Sequence, residues 1–385
     1  MVVQSCELRL AGTSLQVRAY PMWWKPGPGA RSSGAASRLR SHAPDRSPDV
    51  VAELPPTHET PEVTDRDFAM LTTAAPSTVW PERPPAGWKD TCATLHMLTQ
   101  IVGKTRLALA PMENHWWNVA LYLTARGLTT SPMPCGGRAA EVEFDFIDHQ
   151  LLVRTGEGDS RTVALRAQPV ADFHQAYREA LRSLALEVRI RPVPVEIVTA
   201  IPFAEDRVHT AYDPDAAEWW WRLVAQADRV LKRFRGRFLG KQSPVHFFWG
   251  SFDLASTRFS GRPAPEHPGG APNCPDYVMV EAYSRECSSC GFWAGGDGMA
   301  DPAFYAYAYP EPAGYADRPA GPAGASYSRE LREFILPYEA VRVASSPDDA
   351  VLEFCQATYD AAADLGRWDR PLLDRNQSSG SLRSG

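Results

Sequence analysis

An internal sequence similarity constrains the fold of this chain more than any other sequence feature. When the sequence is aligned with itself at an offset of 131 residues, His115 matches His246 and Leu123 matches Leu254 without a gap. Farther on, "DFHQAYREA" is echoed by "EFCQATYDAA". One order of elements thus occurs twice: a helix, a Gly-Lys pair, a strand with a histidine and aromatics, a strand that ends in proline, further strands and an amphipathic helix. Because internal repeats decide architecture, we predict an internal duplication, the alternative being a coincidence between two strand-rich patterns.

The first copy predicts a helix, several strands and a second helix. Apolar spacing predicts a helix from about Asp90 to Val102, which Gly103 would end and Lys104 would complement electrostatically. "HWWNVALYLT" alternates as a strand does, with His115 and Trp117 on its apolar face. "EVEFDF" and "LLVRT" predict a hairpin, and the apolar stripe that begins at Val170 predicts the closing helix.

The second copy repeats these elements. Asp213 and Pro214 form a typical helix start. The segments "GKQSPVHFFWGSFDLASTRFSGRPAP" and "FYAYAYPEP" are predicted to form strands. A final helical stripe begins at Val351. We therefore predict an α+β fold of two similar halves, 78–195 and 205–370, each an antiparallel sheet flanked by helices. Such halves tend to pack about a pseudo-two-fold axis, and the cleft between them is a common ligand site.

Both ends of the chain differ in composition from this body. Residues 1–77 are rich in Pro, Gly, Ser and Arg and show no sustained period, so we predict a disordered N-terminal extension. The stretch 371–385 includes "DRNQSSGSLRSG" and is predicted to be a disordered tail.

Charge and composition exclude several classes of protein. The net charge of −6 argues against a dedicated nucleic-acid binder. No apolar run approaches the length of a membrane span, and the N-terminus lacks the apolar core of a signal peptide. The seven cysteines are odd in number and scattered, which disfavours a disulfide framework. We expect a cytoplasmic protein without nucleic-acid or membrane partners, and the sequence does not indicate its oligomeric state.

Motifs with a defined chemistry are absent or incomplete. "VGKT" lacks the earlier glycine of a phosphate-binding loop and follows a helix instead of preceding one. No metalloprotease, serine-hydrolase or dinucleotide motif occurs. Cys287 and Cys290 form one C-x-x-C, and a zinc site would need His267 and Cys274 at unusual spacing. We therefore favour buried thiols over a zinc site or a redox pair, and we expect no metal; the sequence identifies no cofactor.

The densest group of polar and aromatic residues is "GKQSPVHFFWGSFDLASTRF". A histidine oriented by an aspartate could act as a general base, so His115, His246 and Asp253 are the catalytic candidates. Strand parity places His246 and Asp253 on opposite faces, which weakens a direct pair between them. The candidates for ligand binding are the basic and aromatic residues nearby, which could hold an anion or stack on a ring: Lys104, Trp117, Arg126, Lys241, Trp249, Arg258 and His267.

Two functions fit these residues. One is a protein that binds a small molecule, anionic or ring-containing, in an aromatic, His- and Arg-lined cleft between the halves, where catalysis is also conceivable. The alternative is a non-catalytic protein-interaction module whose aromatics are structural core. Convergence of His115 and His246 in a concave pocket would favour the first function, whereas sealed and separate histidines would favour the second.

Several long stretches also carry a family resemblance. "WKDTCATLHMLTQIVGK", "NHWWNVALYLTARGLTTSP", "FDFIDHQLLVRT", "GKQSPVHFFWGSFDLASTRFSGR" and "HPGGAPN" together resemble an uncharacterised bacterial family, domain of unknown function 5996. The resemblance covers about residues 78–370. It implies one functional unit with both tails outside it, and it implies no activity, cofactor or catalytic residue.

Overall fold

Two antiparallel sheets of six strands each organise the chain. The structure is a computed structural model that describes residues 79–295 and 301–375, all within one compact unit. The predicted extension 1–77 lies outside these residues. Of the predicted tail, 376–385 lie outside them, whereas residues 371–373 belong to a short helix.

The first sheet is a meander with one added strand. Its strands are β1 (Tyr122–Leu123), β2 (Gly127–Thr129), β3 (Met133–Cys135), β4 (Arg138–Asp145), β5 (Gln150–Thr155) and β6 (Ser160–Ala164). The order across the sheet is β1-β2-β4-β5-β6, with β3 paired to β4. Val142 and Phe144 are fully buried, while Glu141 and Glu143 on the other face are partly exposed. This alternation confirms the predicted hairpin of β4 and β5.

The second sheet has a similar path. Its strands are β7 (His246–Phe248), β8 (Asp253–Pro263), β9 (Arg285–Trp293), β10 (Ala303–Tyr309), β11 (Ser326–Ser328) and β12 (Glu333–Pro337). The order across it is β7-β8-β9-β10-β12-β11. Seven consecutive residues of β9 are buried, so this sheet is covered on both faces.

Helices flank both sheets. They are α1 (Trp88–Leu109), α2 (Val170–Ser183), α3 (Pro214–Arg235), α4 (Asp276–Ala282), α5 (Tyr338–Arg342), α6 (Pro347–Leu365) and α7 (Arg370–Leu373), with 3₁₀ segments at Asn114–Val119 and Tyr315–Asp317. The predicted start of α3 is confirmed, because the Asp213 side chain accepts hydrogen bonds from the backbone N–H groups of Asp215 and Ala216. None of the helices in the described ranges combines the length and apolar character needed to cross a lipid bilayer.

The two halves share one order of elements, which confirms the predicted α+β fold. A long helix, an edge hairpin, further antiparallel strands and a closing helix occur in each. A two-way backbone bridge between Leu121 and Phe247 joins the edges of the two sheets. The structural correspondence between the two halves has a different offset from the sequence similarity. The hairpins pair Leu123 with Leu128 and Phe248 with Asp253, so they are related by an offset of 125 residues (248 − 123 = 253 − 128) rather than 131.

Two local predictions in the first half are wrong. Helix α1 does not end at Gly103 but continues for six residues beyond it, to Leu109. The segment Asn114–Val119 is a 3₁₀ turn rather than a strand, because His115 and Trp116 adopt positive φ angles of 61° and 60°. His115 therefore has no structural counterpart in His246, which lies on β7.

The apolar core lies where α1 and α3 meet both sheets. The Trp220 ring of α3 packs on Phe146, which directly follows β4 of the first sheet, at 5.4 Å and on Phe247 of the second sheet at 5.7 Å. It also stacks on Phe252 at 4.9 Å. One side chain thereby contacts both halves, and helices α3 and α6 cover the second sheet on this side.

Candidate functional site

A cavity of about 470 Å³ lies on the other face of the second sheet, away from α3 and α6. Alternate residues of β8, from Asp253 to Phe259, and Tyr305 and Tyr307 of β10 form its floor. Its cover comes from α1, the 3₁₀ segment 114–119, the connection 191–196 and the segment 274–283, which contains α4. The cover thus joins elements of both halves over one sheet.

The floor carries a buried carboxyl group. Asp253 is 3% exposed, and its carboxylate accepts hydrogen bonds from the Ser251 and Tyr305 hydroxyls. The Tyr305 hydroxyl also lies 3.2 Å from the Leu254 carbonyl oxygen. Tyr305 reaches β8 by crossing Gly291 of β9, where a Cβ atom would lie 2.4 Å from the Tyr305 hydroxyl. A glycine in the strand is therefore what brings the tyrosine and the aspartate together.

Lys104 enters the cavity from the middle of α1. The residue is 4% exposed, and its ammonium lies over the Trp249 ring, 5.5 Å from the ring centre. Trp249 can lie this close to α1 only because Gly103 has no side chain, since a Cβ there would be 2.2 Å from the ring. Burial, together with the Arg191 charge, lowers the pKa of Lys104 to about 8.

Glu196 is a second carboxyl group on the wall. It is partly buried and has a positive φ of 61°, a strained conformation for a side-chain-bearing residue. Its backbone N–H donates to the Pro272 carbonyl oxygen at 2.7 Å, which holds the connection against the cover. Burial and the Asp253 charge raise the pKa of Glu196 to about 7. This carboxyl group can therefore gain or lose a proton near neutral pH.

His115 lines the cavity from the 3₁₀ segment 114–119 and not from the strand that was predicted for it. Its Nδ1 donates to the Ala282 carbonyl oxygen at 2.9 Å, and its Nε2 accepts from the Lys241 ammonium at 2.8 Å. The ring lies against Trp117 at 5.3 Å and Phe259 at 4.6 Å. Burial and the Lys241 charge lower the pKa of His115, so the imidazole is a neutral hydrogen-bond acceptor of the ammonium.

Five of the ten predicted site residues line the cavity: Lys104, His115, Trp117, Trp249 and Asp253. Lys241 contacts this set through His115. The two predicted histidines do not converge, because the Trp117 ring lies between them at 5.3 Å from His115 and 5.6 Å from His246. This separation counts against a site built on the histidine pair, so the case for a ligand site depends on the cavity and on Lys104 instead.

His246 is sealed inside the protein. It is 1% exposed and surrounded by the rings of Trp117, Tyr122 and Phe248. Burial and nearby arginines lower its pKa to about 3. The parity prediction is wrong, because the chain reverses between β7 and β8. His246 pairs with Ala255 and Phe248 with Asp253, so His246 and Asp253 share a face of the sheet without touching.

Three other predicted residues serve the fold elsewhere. The Arg258 guanidinium packs 3.5 Å from the centre of the Phe234 ring, on the helix side of the sheet. Arg126 forms ion pairs with Asp145 and Asp148 at the turn between β4 and β5. His267 stacks on Tyr283 at 4.8 Å and accepts a hydrogen bond from the Gly269 N–H.

Sequence reasoning missed part of the site. Arg191 and Glu196 lie in a Pro-rich connection that has no periodicity to interpret. A signal was available for Tyr305 and Tyr307, because the tyrosines of "FYAYAY" alternate and so share one face of a strand. The clue for Glu196 was a single charge inside the apolar run "VPVEIV".

The predicted buried thiols agree with the positions of the cysteines. Cys287 lines the cavity, whereas Cys290, three residues along the strand, donates to the Ser256 carbonyl oxygen on the opposite face, so the C-x-x-C divides between the two faces of β9. Burial raises the pKa of Cys287 and of Cys274 to about 12, which leaves both as neutral thiols. Within 79–295 and 301–375, no three His, Cys, Asp or Glu side chains lie together as a metal site would require.

A comparison with protein families matches residues 80–375 to the model of a family of unknown function, DUF5996. The chain belongs to this family. The match includes both sheets and every element that lines the cavity, so the cavity lies wholly within the DUF5996 region. Searches of curated proteins and of solved structures found no match.

Proposed function

We propose that the cavity binds a small organic molecule that combines an apolar ring with an anionic group. Its volume of about 470 Å³ falls within the range of small-molecule sites. The faces of Trp117, Trp249 and Phe259 and the side chains of α4 offer an apolar lining for the ring. Lys104 and Arg191 lie near each other on one wall and supply the charge for the anion.

One observation carries this proposal: the environment of Lys104. Its ammonium has an aromatic ring beneath it and no hydrogen-bond acceptor among the described residues. A buried ammonium without an acceptor is costly, because it has lost water without replacing it. A ligand carboxylate in the cavity would supply that acceptor, and Arg191 would hold its second oxygen.

Other polar groups of the cavity offer different chemistry. The His115–Lys241 pair lies against Phe259, whereas the Asp253 carboxylate, which Ser251 and Tyr305 hold, lies at the other end of β8. These groups can accept or donate hydrogen bonds to polar atoms of a bound ligand. We therefore assign the anionic end of the ligand to Lys104 and Arg191, and its ring to the tryptophans.

A thermal-shift screen of the full chain tests the proposal. The panel contains aromatic carboxylates, such as benzoate, indole-3-acetate and 3-phenyllactate, each matched with its uncharged amide. We expect at least one carboxylate to raise the melting temperature by about 2–4 °C at saturation, and its amide to raise it much less.

Two substitutions on one helix provide the control. Lys104→Met removes the buried charge and should abolish the carboxylate-dependent shift. Lys89→Met, at an exposed position of α1, should leave the shift intact. If no carboxylate stabilises the protein, or if Lys104→Met binds as well as wild type, the proposed ligand site is wrong and the interaction-module alternative gains support.

A cytoplasmic location is part of the same proposal. The cysteines in the described ranges are all free thiols, four of them buried. Free thiols persist in reducing compartments, which supports this location. A cell-fractionation experiment that placed the protein in an oxidising compartment would contradict it.

A further inference from the structure

Lys104 differs from the other lysines that the structure describes. Lys232 donates to Asp228 at 2.6 Å, and Lys241 donates to His115 at 2.8 Å. Lys89 is exposed to solvent near the start of α1. Among these residues, Lys104 alone combines burial, an aromatic neighbour and a cavity in front of its amine. This is the environment in which lysines act as nucleophiles.

The neighbours of Lys104 complete the set of groups needed for carbonyl chemistry. Val195 exchanges two hydrogen bonds with Gln100, which lies one helical turn before Lys104, and the next residue, Glu196, places its carboxyl group against Gly250 beside Trp249. Arg191 lines the same cavity from this connection. Burial favours the neutral amine, and at neutral pH the neutral fraction of Lys104 exceeds that of a solvated lysine on the order of 100-fold. Glu196 titrates in the same range and can supply a proton.

We propose that Lys104 forms an imine with the carbonyl group of an aromatic 2-oxo acid, with Glu196 as the proton donor. This inference rests on the proposed function, because the ring and the carboxylate occupy the positions assigned above. Arg191 holds the carboxylate, and the adjacent carbonyl carbon then faces the amine of Lys104. The ligand class is thereby narrowed from ring-containing anions to those with a carbonyl group next to the carboxylate.

The reaction balances without an external oxidant or reductant. The neutral amine adds to the carbonyl carbon, and a C–N bond replaces the C–O π bond. The oxygen takes a proton from Glu196, and the nitrogen returns one proton to the Glu196 carboxylate, which gives a neutral carbinolamine. The hydroxyl group then leaves as water with a second proton from Glu196, and the nitrogen lone pair forms the C=N bond. The products are a protonated lysine imine, one water molecule and the Glu196 carboxylate.

Reductive trapping tests this step on the full chain. Phenylpyruvate is the probe, and 3-phenyllactate is its matched analogue with a hydroxyl group in place of the carbonyl. Cyanoborohydride reduces an imine to a stable secondary amine, which adds the mass of phenylpyruvic acid less one oxygen atom. We expect peptide mass spectrometry to find this addition at Lys104 at least about tenfold faster than at Lys89.

Variants separate chemistry from folding. Lys104→Arg keeps a positive charge on α1 and should eliminate trapping, whereas Lys89→Arg should not change it. Glu196→Gln keeps the shape of the side chain and should slow trapping by about 100-fold. The Glu196→Gln substitution should also abolish the fall in trapping rate that the wild-type protein shows as rising pH deprotonates Glu196.

The outcomes distinguish this inference from the proposed function. Binding of 3-phenyllactate together with trapping of phenylpyruvate at Lys104 supports both. Binding of 3-phenyllactate without trapping, or trapping spread evenly over the lysines, overturns the imine and leaves the ligand site. Absence of both binding and trapping overturns the two proposals together.

Discussion

Residues of the first sheet alternate between buried and more exposed positions along β4 and β5, whereas nearly every residue of β9 and β10 in the second sheet is buried. The two sheets are nevertheless similar in strand order: each begins with an edge hairpin, but β3 lies off the main path of the first sheet and β11 lies outside β12 in the second. The difference lies in what covers them. Helices pack on one face of each sheet, whereas the other face of the second sheet is covered by several separate segments: part of α1, the 3₁₀ segment 114–119, the connection 191–196 and α4.

This comparison teaches where a site can arise in a fold of two similar halves. A cover assembled from several separate segments does not fill a sheet face as tightly as packed helices do, and a cavity of about 470 Å³ remains beneath it. The cover also brings residues from the first half, such as Lys104 and His115, over the sheet of the second. The candidate site therefore combines a floor of strands β8 and β10 with covering segments that come partly from the first half.

The largest effect should come from the residue that joins the two sheets. Trp220→Ala removes a fully buried ring that contacts Phe146, directly after β4 of the first sheet, and Phe247 in the second sheet. We expect the free energy of unfolding to fall by about 4 kcal/mol in urea titrations. Trp219→Ala, at the partly exposed neighbouring position, should lower the free energy of unfolding by about 1 kcal/mol. Equal losses in the two variants would mean that Trp220 does not couple the sheets.

An intermediate effect should appear in acid. His246 in the second sheet is neutral in the folded protein, because its pKa is lowered to about 3, whereas the unfolded chain binds a proton below its ordinary value of 6.5. Stability should therefore be lost as the pH falls below that value, by about 2 kcal/mol at about pH 5. His246→Phe should abolish this part of the acid sensitivity in urea titrations at several pH values. A variant with the wild-type pH dependence would contradict the buried, neutral histidine.

The smallest effect belongs to the open face of the first sheet. Arg154 on β5 pairs with Glu143 on β4 at 2.6 Å, and the arginine side chain is 42% exposed. Arg154→Ala should change the free energy of unfolding by less than about 0.5 kcal/mol, because solvent screens the pair. A loss several times larger would show that this face is covered, and the contrast between the sheets would disappear.

The sequence was informative where periodicity was strong. Alternation identified β4, β5 and β10, and the Asp213–Pro214 start of α3 was confirmed by its capping hydrogen bonds. These features arise from contacts between near neighbours, which a single sequence records. The fold class could therefore be predicted, and so could the presence of two similar halves.

Long-range contacts explain what could not be predicted. Gly103 was interpreted as a helix end, although it lies inside α1 to admit Trp249, a residue 146 positions later (249 − 103). The strand predicted at His115 is replaced by a strained turn that docks against Ala282. Glu196 lies in a segment without any period. Each of these depends on a partner distant in sequence, which local pattern does not reveal.

The most direct measurement of the central claim is isothermal titration calorimetry of 3-phenyllactate into the wild-type protein and Lys104→Met. We predict saturable binding to wild type that weakens at least about tenfold in the variant, with both proteins folded by circular dichroism. Equal affinities, or no binding to the wild-type protein, would contradict the assignment of the cavity as a site for ring-containing anions.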